Sequence, residues 1–312
     1  MFKLDLKISE SNIKIGLDKS LFLIGSCFSN EIGSLLSAYK FNTLSNPGGI
    51  IYNPISIFKI LEGSIDRDNI VTNNGISYHW DYHGSISATT KLDLNQKVDD
   101  LIKTTRSFLE TSDIIIISLG TSFVYEKEEK IVANCHKVPS KEFNKRLLSK
   151  EEILEAYDAI YPALSKKDII FTVSPVRHIR DGLVENNLSK SILLQAVHEL
   201  VEKYQNIEYF PSYEIIIDEL RDYRFYKSDM IHPSEQAVEY IWNKFASTYF
   251  DEHTLNFCKK WQKILNSIHH KPFLPESESH QNFLSDTIKE LKNLNDQIDV
   301  SNEIDLLEKQ LR

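Results

Sequence analysis

The chain has 312 residues, 41% of them hydrophobic, and a formal net charge of -9, which is enough apolar content to bury one large core or two modest ones. The acidic balance, with no basic run interleaved with aromatics, argues against a nucleic-acid backbone or an anionic membrane surface as the main partner. No apolar run approaches the roughly 18 residues of a membrane span, residues 1–15 lack a secretory apolar stretch, and cysteines at 27, 135 and 258 make no disulfide framework; a cytoplasmic protein is expected.

Along the chain, apolar runs of strand length alternate with stretches of helical period. The first predicted strand is Leu21 to Ile24. It breaks at Gly25-Ser26-Cys27 before a helix predicted over Glu31 to Tyr39, where Ile32, Leu35, Leu36 and Tyr39 share a face. An amphipathic segment, Lys97 to Leu109, leads to a second, aliphatic strand over Asp113 to Leu119. The pattern repeats with a helix over Glu151 to Leu164 and a strand over Asp168 to Val173. A helix over Leu188 to Tyr204 then leads to a short strand around Ile207 to Phe210. Strands apolar on both faces, joined by helices, predict a mostly parallel sheet in a three-layer α/β sandwich. Residues 69–90 and 123–138 interrupt the scheme as inserted loops, the second reading as a hairpin. The α/β domain is taken as residues 1–270, helical beyond Pro233. After Lys271-Pro-Phe-Leu-Pro275 comes a charged tail, residues 276–312, predicted as one or two helices docking on the body or joining copies of the chain.

In an open parallel sheet, ligands bind beyond the carboxyl ends of the strands, so the residues that follow each strand are the candidates for chemistry. After the first strand stands Cys27. Two readings apply to it: a small apolar filler, as most free cysteines are, or a thiol activated by the unpartnered N–H groups of a helix start. Gly120-Thr121-Ser122 follows the second strand, and Ser174-Pro-Val-Arg177-His178 the third. Near the end of the domain, Asp229 and His232 lie three residues apart in one loop. A carboxylate accepting from one ring nitrogen fixes the tautomer and leaves the other nitrogen as a base. His79 and His83 lack an obvious third ligand, so no metal or other cofactor is expected. Cys135 and His136 are adjacent, and neighbours on extended backbone face opposite ways; with His83, His136 is taken as a substrate contact.

The ordered set Gly25-Ser-Cys-Phe-Ser29, Asn46-Pro-Gly-Gly49, Gly120-Thr-Ser122, Ser174-Pro-Val-Arg-His178 and Asp229-Met-Ile-His-Pro233 resembles the GSCFA family over roughly residues 15–250. Ser29 replaces the alanine of the family's name. The family in turn resembles the SGNH (GDSL-like) hydrolases, which implies a flavodoxin-like α/β sandwich and attack on ester-linked acyl groups. Residue by residue, the resemblance puts Cys27 where that superfamily has its nucleophilic serine, with Ser26 as the competing nucleophile one position away, and His232 and Asp229 as base and orienting carboxylate. Gly48 or Gly49 falls on the oxyanion-hole glycine. Ser122 stands where relatives keep an asparagine. Apart from the resemblance, Arg177 and His178, straight after a strand, are placed to hold an anionic or hydroxylated substrate group. The implied function is hydrolysis or transfer of an acyl group, on a small molecule or a carbohydrate, with acyl-CoA as a conceivable donor. The alternative is a non-catalytic carbohydrate-binding or scaffold protein with a degenerate site.

Overall fold

A computed structural model describes residues 4–295 and 298–311 of the protein. The first half runs β1 (Ser20–Gly25), α1 (Cys27–Ala38), β2 (Asn42–Ser45), α2 (Pro54–Glu62), β3 (Ile70–Asn73), β4 (Ile76–His79), β5 (Ser87–Ala88) and α3 (Lys91–Thr111). Then come β6 (Ile114–Leu119), β7 (Phe123–Lys127), β8 (Lys130–Val132), β9 (Asn144–Leu147), α4 (Lys150–Leu164), β10 (Asp168–Val173), α5 (Leu183–Lys203) and β11 (Ile207–Tyr209). The chain continues through α6 (Ser212–Glu214), α7 (Glu235–Tyr249), α8 (Glu252–Ile268), α9 (Glu278–Lys292) and α10 (Ser301–Glu308).

The central sheet has five strands in the order β11-β10-β6-β1-β2, and every pairing in it is parallel. Side chains alternate across a strand, and here both faces are apolar. Leu21, Leu23, Ile114, Ile116 and Ile170 enter one core, with α1 and the helices from α7 onward. Phe22, Ile24, Ile115, Ile117, Ile169 and Phe171 enter the other, with α2, α3, α4 and α5. Each such side chain contributes roughly 1.5–3 kcal/mol on burial, which is why the run Ile114 to Leu119 admits only a central strand. β2 departs from expectation because Asn42-Thr-Leu-Ser45 is polar and half-exposed; it is an edge strand that its own sequence does not announce.

Strand order places a crossover reversal at β1. The chain leaves β1 through α1 on one face to reach β2, then returns through α2 and α3 on the other face to β6. The carboxyl ends of β1 and β6 therefore open a crevice, and Cys27 begins the helix that leaves it.

Residues 69–90 form an antiparallel sheet, β3-β4-β5, and the hairpin β7–β8 gains a third strand, β9, in the order β8-β7-β9. The tail docks on the body: Leu284, Ile288, Leu291, Val300 and Leu307 are buried in the core that contains α1. Lys40, just after α1, pairs with Glu303 at 2.6 Å. Residues 296, 297 and 312 of the tail, like residues 1–3, lie outside the described residues.

Candidate active site

Gly25 is needed where β1 ends. Its φ is +130°, and a Cβ there would lie 2.0 Å from the Ser118 carbonyl oxygen of β6, so only glycine permits the turn. Ser26 is the N-cap of α1, its hydroxyl accepting from Phe28 N–H at 3.2 Å and sharing a 2.6 Å bond with the Ser118 hydroxyl. At 1% exposure it is turned into the fold. The cap also explains why α1 starts at Cys27 rather than near Glu31: a capping serine needs no apolar periodicity in the first turn. Cys27 is half-buried, and its Sγ lies 3.8 Å from the Tyr52 hydroxyl. Burial, with the Cys27 thiol next, raises the Tyr52 phenol above its ordinary value.

The turn is braced from β2. Asn46 accepts from Gly25 N–H through Oδ1 at 2.7 Å and donates from Nδ2 to Asn30 at 2.6 Å, while its own N–H reaches the Leu23 carbonyl at 2.8 Å.

The second half of the site is the loop before α7. His232 Nδ1 lies 2.8 Å from Asp229 Oδ2, and Asp229 Oδ1 accepts from the backbone N–H groups of Ile231 at 2.9 Å and His232 at 3.0 Å. The His232 N–H, then its ring, then the Ile231 N–H hold the Asp229 carboxyl well below the usual carboxylate range. An ionised carboxylate on Nδ1 fixes its proton there and leaves Nε2 free to accept. The pair is open to solvent, at 40% and 43% side-chain exposure for His232 and Asp229. Cys27 and His232 line one cavity, walled otherwise by α1, α7 and the segment after β10. No direct hydrogen bond joins Sγ to the ring among the described residues.

The other residues expected at the site have these surroundings. Ser122 is fully buried, its N–H and hydroxyl both bonded to Ser189 of α5, so it faces the helix and not the crevice. The Gly49 N–H is spent on the Asn46 carbonyl at 2.8 Å, closing a turn; Gly48 N–H has no protein acceptor among the described residues. Arg177 donates to the Met230 carbonyl at 3.1 Å and lies 4.0 Å over the Tyr226 ring. It braces the Asp229–His232 loop. His178 packs edge-on against Tyr52 with centroids 5.5 Å apart, and burial, then Lys190, lowers its pKa. His136 is 4% exposed, its Nε2 on the His79 carbonyl at 2.9 Å and its ring stacked on Tyr78. Burial pushes its pKa down to about 4, so it is a neutral packing residue. His83, half-buried, bonds the Ser85 hydroxyl at 2.9 Å beside Gly49.

Two residues escaped sequence reasoning. Tyr52 accepts at its carbonyl from the Gly120 and Thr121 N–H groups and places its ring against Cys27; nothing local distinguishes it from other surface tyrosines. Lys190 is 2% exposed and donates to the Gly120 and Ser174 carbonyls, each at 2.6 Å, tying the ends of β6 and β10 together. Desolvation pushes its pKa down to about 7. The clue was available: Asn186, Leu193 and Val197 of α5 are buried with it, so the lysine sits on the inward stripe of its helix.

No curated protein and no solved structure matches the chain. The GSCFA family matches residues 20–245, which hold every residue of the site, and the GSCFA domain protein, C-terminal domain, matches residues 261–312, which hold α9, α10 and the end of α8. With well over half its length matched, the chain belongs to the GSCFA family.

Proposed function

We propose that the protein is an SGNH-like esterase or acyltransferase in which Cys27 attacks an ester carbonyl, His232 moves the proton and Asp229 orients the imidazole. The observation that carries this reading is the shared cavity: a helix-starting thiol and a carboxylate-bound imidazole, 205 residues apart in number, line the same hollow at the sheet's crossover reversal. Ser26 is unsuited to the nucleophile's place because its hydroxyl is committed to Ser118 and the helix cap.

In the proposed reaction, His232 Nε2 takes the thiol proton and sulfur attacks the acyl carbon. The Cys27 N–H at the first turn of α1 and the Gly48 N–H, neither with an acceptor among the described residues, are the donors offered to the oxyanion. The carbon–oxygen bond to the leaving alcohol then breaks, the alcohol takes the proton from His232, and a thioester remains on Cys27. Water or an acceptor hydroxyl, such as that of a carbohydrate, attacks next with His232 again as base. Attack by water makes the protein a hydrolase; attack by a hydroxyl makes it a transferase.

The exposure of the Asp229–His232 pair and the missing direct bond to Sγ favour one competing reading, a binding protein with an idle site. Apo sites also show such contacts long, so the experiment is chemical. With activated aryl esters the protein should release a burst of leaving group and carry one acyl mass on the Cys27 peptide. Cys27→Ala should lose both, and Cys27→Ser should keep slow turnover. Absence of burst and acyl mass in the unaltered protein supports the binding reading, and an acyl mass on Ser26 refutes the nucleophile assignment.

A further inference from the structure

The cavity beside Cys27 has walls of one kind. Phe28 and Ile32 come from α1, Val238 and Ile241 from α7, and Val176 from the segment after β10. Its volume is about 20 Å³, against the roughly 10–15 Å³ a single water needs. Apart from Cys27, His232 and Glu31 the walls offer water nothing to bond, and a space of this size admits a one- or two-carbon group. The charge at its edge is negative: Glu31, at 50% side-chain exposure, lines the rim, its nearest cation being Lys227 at 3.8 Å.

We propose that this cavity is the acyl pocket of the site, holding the alkyl end of the group attached to Cys27 and restricting it to short, uncharged acyl chains of the acetyl and propionyl class. The inference rests on Cys27 as the acylated residue. Val238 is the residue that sets the length limit, since it is only half-buried whereas Ile241 belongs to the core. A longer chain has to displace packed side chains. A carboxylate-bearing chain has to shed water against apolar walls beside Glu31.

The size limit can be read without any turnover, by alkyl methanethiosulfonates. The Cys27 thiolate attacks the sulfenyl sulfur, a disulfide forms, and methanesulfinate leaves with the electron pair of the broken sulfur–sulfur bond. Rates are followed by mass on the Cys27 peptide, with Cys135 in the same protein as reference. Methyl and ethyl reagents should react with similar rates and the butyl reagent at least tenfold slower, a discrimination in the range that a packed pocket gives per methylene. Val238→Ala should return the butyl reagent to within about threefold of ethyl. The 2-carboxyethyl reagent should lag the ethyl reagent, and Glu31→Gln, a surface change that leaves the core intact, should narrow that gap. Equal methyl and butyl rates at Cys27, or a series unmoved by Val238→Ala, overturn the pocket. A clear size series together with no acyl mass on Cys27 from acetyl, propionyl or butyryl aryl esters refutes the acyl chemistry itself, and the acyl-pocket assignment falls with it. Acyl transfer with a flat size series refutes the pocket alone.

Discussion

Two histidines in two regions show how burial and partners set one imidazole apart from another. His232 stands on a loop at the strand ends, 40% exposed, with an ionised carboxylate on one ring nitrogen. His136 sits in the inserted layer, 4% exposed, stacked on Tyr78, with its Nδ1 buried and without a partner. His232 has solvent access and a carboxylate on its ring, and His136 has neither. A buried imidazole instead avoids charge, which is why its pKa falls. The same residue type is thus assigned opposite work by burial and by what faces it.

The sharpest way to break this contrast is to remove each ring. His232→Ala should cut Cys27 acylation by aryl esters on the order of 10²–10⁴-fold, with the fold unchanged by circular dichroism, whereas His136→Phe should leave acylation within about twofold. Equal losses would mean that the exposed imidazole is not the base.

Next in size is a pH effect on stability. With the His136 pKa near 4 when folded and about 6.5 when unfolded, the unfolded chain takes up the proton first as pH falls. The stabilisation is therefore complete above about pH 6.5 and is lost between there and pH 4, by up to about 3 kcal/mol. Urea unfolding at pH 7.5 and pH 5 should show about 2 kcal/mol of that loss, and His136→Phe should remove it. A variant with the same pH slope as the unaltered protein would show that the ring is not held neutral.

The smallest effect comes from taking the carboxylate off the exposed ring. Asp229→Asn takes away the carboxylate and frees the Nδ1 tautomer, and acylation should fall roughly tenfold to hundredfold, less than the ~10⁴ of a buried aspartate because this one is solvated. An unchanged rate would show that backbone geometry alone orients His232.

Much of this arrangement was legible in the chain. The alternation of apolar strands with helical stretches announced the layers, since Ile114 to Ile117 can be satisfied only between two helical faces. Asp229 and His232 were legible because their spacing within one loop lets a short carboxylate reach the ring. What escaped depended on tertiary partners. Ser122 looked like a donor until Ser189 of α5 met it, and Gly49 until its N–H closed a turn on Asn46. Lys190 looked like an ordinary helix lysine, yet its two acceptors lie 70 and 16 residues away. β2 failed to announce itself because an edge strand needs little apolar surface.

The clamp on the far end of α1 has a consequence for how the protein is made. Cys27 opens a helix of 12 residues, about 18 Å long. Its other end is held by Trp261, which donates to the Ala38 carbonyl at 2.8 Å, and by Glu303 on Lys40. On a ribosome adding roughly 5–20 residues per second, α1 emerges many seconds before Trp261, and Glu303 comes later still. The helix that carries the thiol thus waits for Trp261 and Glu303. A nascent chain that has not reached residue 303 has the entire site sequence in hand but lacks the brace at the far end of α1, so that end of the helix is pinned only after residues 261 and 303 have emerged.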